Sequence, residues 1–393
     1  MTIDYLDGFE TQYDDSTTFD ITHGYWTFTE GLANITFPAG RTGVSCKIVE
    51  TATPSRLISA DLPASQQRHW SFFFRIPAAP SVISDLYAAS VAGGGTNCLL
   101  LGVNTNSTLR LSIAGSGLQA SSFGVCDNAW HRLDMYLNSS GTTHTIDWKV
   151  DGVTQTQVSV AGQAARDPVR QVIGSSSVGH TLTFEIDDFV SGSNGATEYP
   201  FNAGQPYNIY ALSPNADGTH NAGTNIIEDQ AGNDIGVVTA WDLLEEIPPT
   251  TTEYVRQNAA GSGNYAEVAF ADTVQSIILA VCGFVLGGAV QGSNPTATIR
   301  IVDSAGATLI DLYSGNVGGG SATDRTLNLR IPDPGGDGWS TADLNGLKLR
   351  VGFSPNASAS ITPKFGAAML QYVAVPSPPT TRRLRTVSTP IRW

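Results

Sequence analysis

Four stretches decide how this chain folds: HWSFFFRI at residues 69–76, AWHRLDMYL at 129–137, TIDWKV at 145–150 and LTFEIDDF at 182–189. Trp70, Phe72, Phe74 and Ile76 fall on one face of the first. His131, Leu133, Met135 and Leu137 share a face of the second, with Trp130 opposite. Ile146, Trp148 and Val150 repeat the alternation and run into Asp151-Gly152. Residues 182–186 alternate again and lead into Asp187-Asp188-Phe189. Side chains alternate faces along a strand, so this period of two predicts sheet with one buried face. Asp-Gly between alternating runs is a strong hairpin signal. The span 69–189 therefore reads as the core of an antiparallel β-sandwich.

Outward from that core, the composition points the same way. The 393 residues suffice for two or three domains with cores of their own. With 41 Gly, 20 Pro and only 14% charged residues, short strands joined by turns are expected, and the fold class is all-β. Residues 6–10, 26–29, 33–37 and 44–49 supply early strands, and Leu109, Leu111 and Ile113 alternate against Arg110 and Ser112. The pattern weakens from 199 to 246, with a turn cluster at 214–219 and one short helical turn at 241–246. Ile247-Pro248-Pro249 and three threonines read as an extended linker, because proline fixes φ and disfavours helix before it. Beyond it, Leu327, Leu329 and Ile331, then Leu347, Leu349, Val351 and Phe353, alternate again. A hairpin is expected from 297–303 and 308–312, and a long turn from 332–339. The predicted plan is a sandwich over 1–195, an irregular connecting segment over 196–252, a second, smaller sandwich of seven or eight strands over 253–375, and an arm over 376–393.

The net charge of −14 argues against general nucleic-acid binding, which needs a basic surface. It is unevenly placed. Residues 376–393 carry Arg382, Arg383, Arg385 and Arg392 with no acid, so subtracting four charges from −14 leaves −18 on the rest. An acidic body with a basic end suits docking between neighbours. Arg382, Arg383, Arg385, Arg392 and the terminal Trp393 are the expected subunit contacts, Arg and Trp being favoured interface anchors. The four cysteines lack CxxC spacing and paired histidines, which favours buried free thiols and leaves a Cys98–Cys126 bridge open. The most apolar run, 277–290, has 14 residues against the roughly 20 that span a bilayer, so a buried strand pair is expected there. No basic n-region with an apolar stretch precedes Asp4, so synthesis in the cytoplasm without a signal peptide is expected.

Two family resemblances rest on these motifs. Trp130-His131-Arg132-Leu133, the strand ending at Asp151-Gly152, the closing Ile186-Asp187-Asp188-Phe189 and the aromatic strand from Trp70 to Arg75 resemble laminin G-like domains in order and spacing, over about residues 5–192. That resemblance implies a concanavalin A-like jelly roll. It also implies a rim site for calcium, for which Asp127, Asp187 and Asp188 offer hard oxygen ligands. Further on, the turn cluster at 214–219, Trp241, Glu246-Ile247-Pro248-Pro249, Thr252-Glu253-Tyr254 and Trp339-Ser340 resemble a module of tailed-bacteriophage virion proteins that follows a lectin-like domain, over about residues 200–375. It implies a virion component, with other copies of itself and other virion proteins as partners.

Catalytic constellations are scarce. Some glycosidases on this sandwich carry two glutamates flanking an aspartate on one strand, since glycoside cleavage needs a carboxylate pair. Glu185 and Asp187 match the first two positions, but Phe189 stands where the acid/base belongs. His131 reads as a packed strand histidine, and neither GxSxG nor a P-loop occurs. No catalytic residues and no enzymatic activity are therefore expected. Trp26 and Trp130 are the candidate platforms for glycan stacking. The sequence thus predicts a non-enzymatic minor tail protein that self-associates, with host-surface glycan recognition as an added expectation and no membrane insertion. A capsid decoration protein, a free carbohydrate-binding module and a glycoside hydrolase are the alternatives.

Overall fold

The protein is described from a computed structural model. It describes residues 2–7, 9, 26–30, 34–41, 43–51, 54–59, 61–92, 96–113, 116–175, 179–193, 207–221, 227–235, 239–245, 253–257, 264–291, 296–304, 306–316, 325–333, 338–353 and 362–375. Among these, every named element is a β-strand except one five-residue helix, Thr341–Asn345. The all-β expectation holds.

A nine-stranded and a seven-stranded antiparallel sheet pack face to face as a jelly-roll-like sandwich. The first runs Val153–Thr154, Thr143–Val150, Trp130–Asn138, Gln67–Arg75, Thr183–Ser193, Cys46–Val49 and Ile35–Thr36, with Thr2–Asp7 added on Thr183–Ser193 and Val158–Ala161 on Thr143–Val150. The second runs Ser116–Gly124, Thr108–Ile113, Asn97–Val103, Ser84–Ser90, Arg170–Ser175, Ser55–Ser59 and Trp26–Glu30. The four stretches that open the sequence reading all lie in the first sheet, with Phe72 opposite Leu133 and Leu133 opposite Val150. Phe72, Phe74, Leu133, Met135 and Trp148 meet Leu86, Leu99, Leu101 and Leu111 in one core. The Asp151-Gly152 turn has φ of 51° and 78°, the left-handed pair that a two-residue hairpin requires.

The second sandwich pairs a six-stranded sheet with a five-stranded one. The six-stranded sheet runs Ile227–Glu228, Val255–Gln257, Thr362–Val375, Ile277–Gln291 and Arg325–Ile331, with Asn208–Leu212 added on Thr362–Val375. The five-stranded sheet runs Pro214–Asp217, Tyr265–Phe270, Lys348–Phe353, Thr296–Val302 and Thr308–Asn316. Three of these strands, at 208–212, 214–217 and 227–228, fall inside the span read as connecting segment. They are short and flanked by turn residues, so they carry too few alternations to register as strands in the sequence. The expected helical turn at 241–246 is a hydrogen-bonded turn, Leu244 N donating to Trp241 O at 3.0 Å, and it seats Leu243 and Leu244 in the second core.

The expected strand pair at 277–290 is one 15-residue strand, Ile277–Gln291. It follows Thr362–Val375 for its whole length by taking register shifts between Ile278 and Ala280, Leu286 and Gly287, and Ala289 and Gln291. Bulges bend and twist a long strand without ending it. The helix Thr341–Asn345 was not expected; a capping box formed by Ser340 and Asp343 starts it.

Candidate functional site

The motif Ile186-Asp187-Asp188-Phe189 builds the join between the two sandwiches. Between Asp187 and Val190 the closing strand slips register against Gln67–Arg75, and Asp188 adopts φ of 49°. An extra residue at a bulge re-aims the side chains around it. Phe189 still enters the core, stacked on Phe72 at 5.6 Å. Both aspartates turn to partners: Asp187 Oδ2 accepts from Arg41 N at 2.7 Å, and its Oδ1 accepts from Asp188 N at 2.8 Å. Asp188 pairs with the Arg41 guanidinium, and its Oδ1 accepts from Ile209 N at 2.8 Å. Its carbonyl accepts from the Tyr207 hydroxyl at 2.9 Å.

Arg41 completes the clamp. Its Nη2 donates to Tyr207 O at 2.8 Å and Asn208 Oδ1 at 2.6 Å, and its guanidinium carbon lies 3.6 Å from the Phe73 ring centre. A planar fork with five donors can hold a carboxylate, a carbonyl and a ring at once. Alongside, Phe73 and Val190 from the first sandwich pack with Tyr207, Ile209, Ala280, Cys282, Met369 and Val373. Arg132 reaches Asp134 at 2.8 Å and lies over the Tyr207 ring at 4.9 Å. Burial pushes Asp134 above the usual carboxylate range despite the pull of Arg132, and burial likewise raises the Tyr207 hydroxyl well above its usual value.

The other expected site residues lie elsewhere. Asp127 is at the opposite end of a histidine clamp: His131 Nε2 is 2.9 Å from Asp127 Oδ1, and Nδ1 is 2.7 Å from Asp151 Oδ2. The bond from Asp151, then that from Asp127, raises the His131 pKa against burial. Asp127, Asp187 and Asp188 thus serve as hydrogen-bond acceptors for His131, Arg41 and backbone amides. Among the described residues, no group of three or more His, Cys, Asp or Glu side chains is arranged to hold a metal ion. Trp26 is 1% exposed, between Phe9 and Phe189, so neither ring face is open to a sugar. Trp130 is half-buried under Arg75 at 5.0 Å and packs on the junction cluster. Arg382, Arg383, Arg385, Arg392 and Trp393 lie outside the described residues.

Glu185 sits on the outer face, paired with Arg75 at 2.5 Å and 3.3 Å from Ser45 Oγ. All four cysteines are free, Cys46, Cys98 and Cys282 buried, and burial pushes the Cys98 thiol up to about 11.

One titratable cluster escaped the sequence reading. Glu50, its side chain 1% exposed, lies 3.8 Å from His180 Nδ1, which accepts from Asp85 N at 3.3 Å. Burial pushes Glu50 up to about 8, opposed by a backbone bond from Ser175 and reinforced by Asp85; burial also raises Asp85. Burial thus favours the protonated form of Glu50. Its partners stand 35 and 130 positions away, so no spacing motif announces them.

The fold and junction define a protein of two β-sandwiches, the first jelly-roll-like, fused through a buried polar clamp. No family model matches the chain, and neither does any curated protein. Among solved structures it is similar to Trypanosoma rangeli sialidase, at 13% identity and TM-score 0.30 over 40% of this chain and 26% of that one. It is also similar to domain 4 of AbnA, a GH43 extracellular arabinanase from Geobacillus stearothermophilus, at 12% identity and TM-score 0.30 over 40% and 74%. A third is the endo-1,3-beta-glucanase from Streptomyces sioyaensis, at 13% identity and TM-score 0.33 over 49% and 97%. The chain spans about a quarter of the length of the sialidase. At these values the likeness bears on neither activity nor ligand.

Proposed function

We propose that this chain is a non-enzymatic structural protein of a tailed-phage virion, a minor tail protein that associates with its own copies and with other virion proteins. The observation that carries the reading is the buried clamp of Arg41 on Asp188, Tyr207 and Asn208, which joins the two sandwiches at the start of the span read as an irregular connecting segment. A part that carries load between neighbours needs a stiff join. The resemblance of residues 200–375 to a virion module supplies the context, and the basic segment 376–393 against an acidic body supplies a means of attachment. Engagement of Glu185 by Arg75 and of Asp187 by backbone amides also favours a structural role, since both carboxylates are tied up on the outer face.

The test is location. Heads and tails are separated, and each fraction is probed with an antibody to this chain. Signal in tails supports the reading. Signal confined to heads makes it a decoration protein, and absence from both removes the virion assignment.

A further inference from the structure

On the second sandwich, the loop 271–276 holds an apolar side chain out in water at the point where the last described strand ends. Val274 is 84% exposed, the highest value for a large hydrophobic among the described residues, and Ile277, where the next strand begins, is 53% exposed. Ile277 pairs with Val375, the last residue of Thr362–Val375. The segment 376–393 therefore leaves the body beside this pair.

The loop is held so that it keeps that side chain out. Thr273, 6% exposed, shares a hydroxyl bond with Tyr372, its N–H donates to Asn345 Oδ1 at 2.8 Å, and its carbonyl accepts from Asn345 Nδ2 at 3.1 Å. On the far side of Val274, Gln275 N donates to Thr273 Oγ1 at 3.1 Å, and Gln275 O accepts from Thr341 Oγ1 at 2.6 Å. Both neighbours of Val274 are thus tied to the helix Thr341–Asn345. An apolar group presented on a pinned backbone stays hydrated until another surface covers it. The surroundings are acidic: residues 271–280 and 338–347 carry Asp272 and Asp343 and no Lys or Arg.

The segment 376–393, outside the described residues, has the opposite character. It carries four arginines and no acid, with Leu384, Val387, Ile391 and Trp393 set among them. Cationic and apolar side chains in one short segment complement an apolar knob flanked by carboxylates. A copy's own segment is poorly placed to turn back onto its own knob. Pro376, Pro378 and Pro379 favour an extended course of roughly 3 Å per residue, so Leu384, nine positions past Val375, falls on the order of 25 Å from the exit. We propose that the knob formed by Val274 and Ile277 is the seat for the basic C-terminal segment of a second copy of this chain. The inference rests on the self-association part of the function proposed above. Each copy offers one seat and one segment, so the contact is head-to-tail and closes a ring or extends a row.

The test is sedimentation velocity on the full chain, which is expected to self-associate. Val274→Lys replaces the apolar group with a charge that repels the arginines. It should raise the dissociation constant by about tenfold or more, at unchanged melting temperature because the side chain is exposed. A chain ending at Val375 should lose association to the same degree. Mixing these two variants should restore a one-to-one complex, since one supplies the segment and the other the seat. Photo-crosslinking from benzoylphenylalanine placed at Val274, in a mixture of unlabelled and isotope-labelled chains, should join the seat to residues 384–393 of the differently labelled copy. A wild type that stays monomeric up to about 1 mM overturns the proposal. Crosslinks confined to one copy, or association that survives both variants, overturn it too. Each such failure leaves the tail assignment standing, because particle location is read separately.

Discussion

Replacing Arg41 with Ala should loosen the two sandwiches from each other. Asp188, with a side chain 0% exposed, would lose its countercharge where no water can replace it. Removing one partner of a buried ion pair costs about 3–5 kcal/mol, because the remaining charge is left uncompensated. Arg41 is itself 21% exposed, which places the expected loss toward the lower end. Its stacking on Phe73 at 3.6 Å and its bonds to Tyr207 O and Asn208 Oδ1 go as well. About 3 kcal/mol is therefore expected from urea unfolding followed by tryptophan fluorescence. The loss should be local in hydrogen exchange: the Ile209 amide, bonded to Asp188 Oδ1, should exchange much faster. Asp188→Asn in a double-mutant cycle with Arg41→Ala should show coupling of about 1–3 kcal/mol. Arg41→Lys keeps charge without the planar fork and should fall between the two. A cost under about 1 kcal/mol in Arg41→Ala, with Ile209 exchange unchanged, would refute the clamp as the joining element.

Gly40→Ala should damage the same clamp from behind, since a Cβ there would lie 2.5 Å from Asp187 Oδ2 and 2.9 Å from Ser45 N; a loss of about 1–3 kcal/mol in urea is expected. His131 has a folded pKa raised by Asp151 and Asp127, so its stabilisation is complete below the unfolded value of about 6.5 and disappears as pH rises through the folded one. The melting-temperature gap between wild type and His131→Gln should accordingly shrink from pH 6 to pH 9. Asp127 is lowered, first by the Ala129 backbone bond and then by His131, so the same gap should also narrow as pH falls below the usual carboxylate value. Glu50 behaves in the opposite chemical sense: its carboxyl is raised to about 8, so stability declines as pH climbs from 4.5 through 8. Each unit of that rise is worth about 1.4 kcal/mol, and Glu50→Gln should flatten the decline and melt higher than wild type at pH 9.

The sequence by itself determined the central strands of the first sandwich and the inner face that forms its core. Period-two alternation in 69–76, 129–137 and 145–150 reports which side chains face inward, and the Asp-Gly turn sets the register of Thr143–Val150 against the short strand Val153–Thr154 that follows it. It was right about the inner face because burial of alternate residues is a local property of a strand. The outer face was decided elsewhere. On Gln67–Arg75 the intervening His69, Ser71 and Phe73 are buried as well, since the second sandwich covers Phe73 and its surroundings. Polar residues on such a face look solvent-exposed in the sequence and become a buried network only when a separate body docks.

The same reason explains Asp187 and Asp188. As letters they read as calcium ligands or turn residues, and their actual partner, Arg41, lies 146 and 147 positions upstream. Glu50, Asp85 and His180 meet only because three different strand ends reach one rim. Local pattern sets which residues leave water along each strand; only the packing of whole sheets chooses which distant charges must then find each other.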